Sequence, residues 1–506
     1  MDWLTELLRW LIVVFLGLTS GCSPAAPIYV TPTPALPATA PAAEVVVLPS
    51  ATPVAPATTA PVMLTPQVTW QGPVVSGNPL PPTLAAPIPT TSPISGAPTQ
   101  PPAPATAVIA DATLSPTFTA TTGAPAPVMP NLDPGRIGVQ LDINLSQEDW
   151  NTAMGEIERL GVRWVKVQMP WRDMQPNGPD DFGNEFFARV EQHLEDAANR
   201  GLNVMISIAK APAWARSVQD EDGPPDNPQT LANFITIVFR EINPDLARPM
   251  LGEYIDAVEV WNEPNLLREW RGALPFSGAG YMQLFAAAYQ AIRAYSPTMP
   301  IITAGLAPSS NSAGSIDDRD YLRQMYQAGL ASYSDVLIGI HPYSWANAPD
   351  ERCCNTIEGK GWDDDPHFFF ANTLDEYRQI KAEYGDSDSQ MWVTEFGYAS
   401  WDGLPASPPV GDEWMRDTDR MEQGIYTMRT LEILQSSPDV GNTVLWNLNF
   451  ATLAGLLQNG DERAAYSMIV PGTLGVVDPA STDRTERPIY WMLYDAVRPD
   501  VQLPSF

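Results

Sequence analysis

The sequence predicts an α/β protein, a (β/α)8 TIM barrel spanning residues 133–506, behind a disordered stalk rich in Pro, Thr and Ala. Three observations predict it. Short apolar runs of strand type alternate with amphipathic helical stretches, several closed by glycine, and the alternation repeats until eight strands are counted. The long loops all follow strands, as they do on the C-terminal face of a barrel. The first quarter of the chain lacks the mixed apolar and charged patterning that a core needs.

Residues 1–21 read as a signal segment. The apolar run at 11–18 is too short for a comfortable membrane span, and Thr19-Ser20-Gly21-Cys22 places small residues before a cysteine. This resembles the lipobox of bacterial lipoproteins, which implies lipidation of Cys22 as the mature N-terminus. An uncleaved anchor and an ordinary secretion signal are the alternatives, and all three export the barrel. Residues 22–132 read as a linker: 26 of the 110 residues from 23 to 132 are proline, a composition that favours polyproline II and flexible coil.

The barrel begins with a strand at 137–141. Ser146 then opens a helix with Trp150, Met154, Ile157 and Leu160 on one face, stopped by Gly161. A strand at 162–169 leads to a helix at 186–199, carrying Val190, Leu194 and Ala197 inward, and to a third strand at 202–208. Helices at 232–242, 281–295, 321–328, 374–384 and 423–434 precede strands at 257–261, 301–304, 336–340, 391–394 and 443–448, and a helix at 490–497 closes the chain. A doubly wound open sheet is the alternative, but no Gly-rich phosphate fingerprint follows the first strand. Long loops at 210–229, 265–280, 343–372 and 397–417 converge on one mouth.

Residues 1–132 hold four of the 59 acidic side chains and one of the 28 basic ones, so the remainder carries a net charge of −28. That field repels nucleic acid and anionic lipid headgroups and fits a neutral or cationic substrate better than a polyanion. After Cys22 only Cys353 and Cys354 remain, adjacent in a loop: two free thiols or a vicinal disulfide. With no histidine cluster beside them, no metal site is expected there. Asp363 to Asp365 reads as a solvated acidic run without calcium-ligand spacing, and His193 and His367 carry no signal.

Two glutamates stand out. Glu263 lies in Val260-Trp261-Asn262-Glu263-Pro264-Asn265, just past the fourth strand, and Glu395 lies in Trp392-Val393-Thr394-Glu395-Phe396-Gly397, ending the seventh. Those strands face each other across a barrel mouth, so the two carboxyl groups can flank one bond, the arrangement that glycosidic cleavage requires. The bland readings are a surface acid before Pro264 and a helix cap at Glu395. With these motifs the chain resembles glycoside hydrolase clan A, over roughly residues 136–497. The resemblance implies that Glu263 is the acid/base and Glu395 the nucleophile. It implies that Asn262 donates to the sugar 2-hydroxyl, that Tyr343 of His341-Pro342-Tyr343 bonds the nucleophile, and that Trp446 floors the subsite of the cleaved sugar.

Trp171 after the second strand and Ala211-Pro212-Ala213-Trp214 after the third resemble families 39 and 5 of that clan, while Lys166 stands where the clan often has arginine; the resemblance implies that Lys166, Trp171, Trp214 and His341 join Asn262, Tyr343 and Trp446 in binding substrate. His341 could equally be a satisfied core histidine, and Trp171, Trp214 and Trp446 core tryptophans, since sugar rings and cores both want flat apolar faces. Trp270, Trp345, Trp362 and Trp401 sit in long loops, where burial is less expected and subsites are lined. The resemblance implies a retaining glycosidase acting on an oligo- or polysaccharide with no metal or organic cofactor, no nucleic acid and no protein partner, and with membrane attachment only through the N-terminus. A transglycosylase on the same residues and a non-catalytic carbohydrate-binding lipoprotein are the alternatives.

Overall fold

The computed structural model describes residues 129–181, 184–240, 251–354, 360, 362–471 and 486–498. The signal segment, Cys22 and the linker as far as residue 128 lie outside them. Leu132, expected to end the linker, is buried, and its amide donates to Ala496 O at 2.8 Å, so ordered chain begins before residue 133. Among the described residues no helix is long and apolar enough to cross a membrane.

Eight parallel strands close into a barrel in sequence order: β1 (Ile137–Leu141), β2 (Trp164–Pro170), β3 (Asn203–Ala209), β4 (Ala257–Val260), β5 (Ile301–Thr303), β6 (Val336–Ile340), β7 (Met391–Phe396) and β8 (Val440–Leu445). Closure is made by β1 pairing with β8 through Gly138 opposite Val444. The principal helices are α1 (Gln147–Leu160), α2 (Glu185–Asn199), α3 (Pro228–Arg240), α4 (Gly278–Tyr295), α5 (Asp318–Gln327), α6 (Phe370–Glu383), α7 (Arg420–Ser436) and α8 (Pro488–Ala496). Several start a few residues before the expected positions. Apolar periodicity marks the first core-facing residue, whereas the true starts are set by caps such as Ser277, Asp317 and Asp419, whose side chains accept otherwise unpaired amides. β8 ends one residue before Trp446, earlier than expected.

Alternate strand residues serve two different cores. Val139, Val165, Val167, Val204, Ile206, Val258 and Val260 pack outward against the helices in the main apolar cluster. Trp164, Met205, Ala257, Ile302, Trp392 and Val444 form a separate cluster that plugs the barrel interior. Two positions further along β2, β3, β4 and β7 the inward residues turn polar: Lys166, Ser207, Glu259 and Thr394, each fully buried. This polar storey lies between the apolar plug and the mouth, and the candidate site stands on it. The pairing of β7 with β8 is irregular between Val393 and Phe396, a bulge at the position of Glu395 that re-aims its side chain.

Candidate active site

Glu263 is held by an unusual stretch of backbone. Trp261 and Glu263 both have positive φ, 79° and 40°, a left-handed region that side-chain-bearing residues rarely occupy and that clusters at functional sites. The surroundings fix it. The Glu263 amide donates to Gly305 O at 3.1 Å, and Tyr281 donates to Val260 O at 2.9 Å while accepting from the Ala304 amide at 2.7 Å. Buried Asn265 joins the loops after β4 and β5 by donating to Ala307 O and accepting from the Ala307 amide.

Glu395 is buried, and both its oxygens are engaged: Oε1 by Lys166 Nζ at 3.0 Å and Oε2 by the Tyr343 hydroxyl at 3.3 Å. One oxygen of Glu395, one of Glu263 and one nitrogen of His341 all lie within 4.8 Å of one another. The two glutamates therefore come together as expected, with Asn262, Tyr343 and Trp446, around a cleft of about 840 Å³. Asn262 Oδ1 is buried and without a hydrogen-bond partner among the described residues. Trp446 lies with its ring 5.1 Å from Tyr466 and 6.3 Å from Tyr343.

Four expected substrate contacts do not reach the cleft. Lys166 is fully buried below it, bridging Glu259 Oε2 at 2.7 Å and Glu395 at 3.0 Å. It orients a carboxylate where a sugar contact was expected. His341 is also buried, with Nδ1 3.2 Å from Glu263 Oε1 and Nε2 3.1 Å from Thr394 Oγ1. It packs so closely under Gly305 that a Cβ there would come within 2.2 Å of its ring. Trp171 is a core residue, stacked on Phe234 with its indole N–H given to Gln175. Trp214 meets Trp171 edge-on, and its N–H donates to Gln175 O. Of the loop tryptophans, Trp270, Trp362 and Trp401 are buried, contrary to expectation, Trp270 in the main apolar core and Trp401 in a smaller cluster with Met415 and Leu456, and Trp345 lines the cleft.

Glu259 was missed. It is fully buried at the centre of β4, accepting from the Gly305 amide at 3.0 Å and the Thr394 hydroxyl at 2.6 Å beside Lys166. Burial works against its charge, but Lys166 and His341 outweigh burial and hold its pKa down at about 2. Burial likewise opposes a charged His341, yet Glu395, Glu259 and Glu263 together raise it to about 9. Lys166 is raised by Glu259 and Glu395 against its own burial. The available signal was a lone charge inside each of two apolar strands, which must find its opposite. Glu269, which lines the cleft with Glu263, was missed too: burial and then the charge of Glu263 push it up to about 7.

Other acids and histidines are structural. Asp363 is buried, contrary to a solvated run. His367 sits between Asp317 and Asp365, with Nε2 2.8 Å from Asp317, and Asp318 nearby is held by Arg319 and Tyr377. His193 stacks on Trp150 with ring centroids 4.2 Å apart. Cys353 and Cys354 are joined as a vicinal disulfide.

The profile of the family described as Cellulase (glycosyl hydrolase family 5) matches residues 135–443. No curated protein matches. Among solved structures the chain is similar to a family 39 glycoside hydrolase from the gut symbiont Bacteroides cellulosilyticus, at 15% identity over 73% of this chain, with TM-score 0.48; the match spans 64% of that protein's length. It is also similar to a beta-glucosidase from Thermotoga maritima in complex with deoxynojirimycin, at 13% identity, 73% and 98% coverage and TM-score 0.46. An endo-beta-1,4-mannanase from Thermotoga petrophila matches at 12% identity, 73% and 78% coverage and TM-score 0.43.

Proposed function

As a member of glycosyl hydrolase family 5, the cellulase family, this chain is a glycoside hydrolase, and we propose that it cleaves β-glycosidic bonds of an oligo- or polysaccharide with retention of configuration. The observation that carries this reading is the approach of Glu263 and Glu395 oxygens within 4.8 Å across an open cleft. Carboxyl groups about 5–5.5 Å apart suit direct attack by one of them, whereas roughly 6.5–9.5 Å leaves room for a water.

In this mechanism Glu395, positioned by Lys166 and Tyr343, attacks the anomeric carbon. The leaving oxygen takes a proton from Glu263, which then activates the water that releases the glycosyl-enzyme. Asn262 lines the same cleft and suits the 2-hydroxyl, and Trp446 suits the floor beneath the ring. Chemical rescue tests the roles separately. Azide should restore turnover of Glu395→Ala with inverted product and of Glu263→Ala with retained product. An inverted wild-type product seen by NMR would overturn the mechanism.

We propose further that the enzyme is exported and tethered through Cys22, on the support of the apolar run at 11–18 and Thr19-Ser20-Gly21-Cys22. Labelled palmitate should enter the wild type and not Cys22→Ala. Unlabelled protein released freely into the medium would sink this reading.

A further inference from the structure

The loop tryptophans fall into two groups. Trp270, Trp362 and Trp401 are buried and donate their indole N–H to Pro275 O, Asp417 and Ala406 O. Trp345 and Trp414 are half-buried and face open space. Trp345 holds a left-handed backbone, φ 50°. For a bulky side chain that conformation costs about 1–3 kcal/mol and persists where its surroundings impose it. Here the surroundings set an indole on the rim of the cleft, its ring centroid 3.8 Å from Phe368 and 5.8 Å from Trp414.

Trp345, Asp412 and Trp414 line the catalytic cleft on one side and, on the other, an adjoining recess of about 590 Å³ over the loops that follow β6 and β7. That volume lies within the usual range for ligand sites, about 300–1,000 Å³. Its walls combine aromatic faces with the carboxylates of Asp412, Glu413 and Asp417. Lys360 also lines the recess, its ammonium 4.5 Å from the centre of the Trp362 ring. Flat apolar faces with acceptors around them match a pyranose ring, whose C–H face is apolar and whose hydroxyls radiate from the edge. The carboxylates disfavour an acidic sugar.

We propose that Trp345 and Trp414 form a distal subsite, a shelf that binds a neutral sugar unit of the same β-linked chain whose scissile bond lies over Glu263 and Glu395. The proposal rests on the glycoside hydrolase reading above and deepens it: the substrate is long enough to reach from the paired glutamates to the shelf.

The test uses the full-length enzyme on β-1,4-linked gluco- and manno-oligosaccharides of two to six units and on the matching aryl β-glycosides. Trp345→Gly removes the ring while tolerating the positive φ, Trp414→Ala is an independent second lesion, and Trp345→Phe retains a flat face. For the longest oligosaccharide that the wild type cleaves, each of the first two variants should lose about tenfold in kcat/KM, equal to ~1.4 kcal/mol, mostly through KM. Cleavage of the aryl glycoside should stay within about twofold, the change a group with no contact to a short substrate should cause, and Trp345→Phe should keep most of the wild-type preference for length. Equal losses on long and short substrates, or none on the long one, overturn the shelf with the catalytic reading intact. A wild type that cleaves none of the series overturns the catalytic reading and the shelf with it.

Discussion

Replacing Lys166 by methionine should show how the charged storey under the site is held. The change keeps most of the side-chain volume and removes one ammonium with no exposure to solvent, which bridges carboxylates at 2.7 Å (Glu259) and 3.0 Å (Glu395) and donates to Thr394 O at 3.1 Å. Glu259 would keep its bonds from the Gly305 amide and Thr394, with His341 Nε2 3.6 Å away, as a carboxylate buried without its strongest partner. Breaking a buried pair by removing one member costs about 3–5 kcal/mol, a large part of the roughly 5–15 kcal/mol that stabilises a domain. Lys166→Met should therefore lower the urea midpoint steeply. Adding Glu259→Gln removes the orphaned charge and should return about 2 kcal/mol, a coupling typical of residues in contact. Activity should not return with it, because Glu395 still lacks its Oε1 partner; a loss of about a hundredfold in kcat/KM fits removal of one oriented donor. Reversible urea unfolding and steady-state kinetics on an aryl β-glycoside are the assays. A double variant no more stable than Lys166→Met would refute the ion-pair account.

Other predictions concern titration and redox state. His341 is raised from about 6.5 to about 9, so its contribution to stability is complete below 6.5 and is lost as pH rises through 9; thermal unfolding of His341→Gln should lack that alkaline limb. Glu259 is lowered from 4.5 to about 2, so its contribution is present above 4.5 and lost as pH falls toward 2, a limb that Glu259→Gln should lose. Glu269 runs the other way: an acid raised from 4.5 to about 7 weakens the fold as pH climbs through that window, so Glu269→Gln should raise Tm at pH 8 and leave it unchanged at pH 4. Intact mass after alkylation without reductant should show Cys353 and Cys354 unmodified, and two alkylated thiols would contradict the disulfide.

The barrel was legible because its signal is repeated. Each strand carries alternating residues for two apolar cores, and each of several helices ends in a glycine such as Gly161, which sits at φ 83°. The two glutamates were legible for a related reason: each follows or ends an apolar strand whose place in the count fixes its place on the mouth. The tryptophans were not legible, because an indole on a sugar and an indole in a core have the same composition and the same neighbours in sequence. Trp171 and Trp214 differ from Trp446 only in what the loops fold against, and no local pattern carries that. Lys166 and Glu259 failed in the opposite way. Each was visible as a charge in an apolar strand, but their pairing crosses from β2 to β4, and only the inward direction shared by positions 166 and 259 brings them together.

Thr394 fixes where one proton resides. Its hydroxyl has a single hydrogen, which goes to Glu259 Oε1 at 2.6 Å, so it can offer His341 Nε2 only a lone pair at 3.1 Å. Nε2 therefore carries a hydrogen, and with His341 raised to about 9 the second proton of the imidazolium, on Nδ1, is donated to Glu263 Oε1 at 3.2 Å. Burial pulls His341 down, and the charge of Glu395 is the largest influence raising it. In the proposed mechanism Glu395 becomes a neutral glycosyl ester after the first step, which removes that charge and weakens the hold of His341 on its proton. The polar storey of Lys166, Glu259, Thr394 and His341 thus supports both carboxylates, and the charge on Glu395 sets how firmly His341, the partner of Glu263, holds its proton.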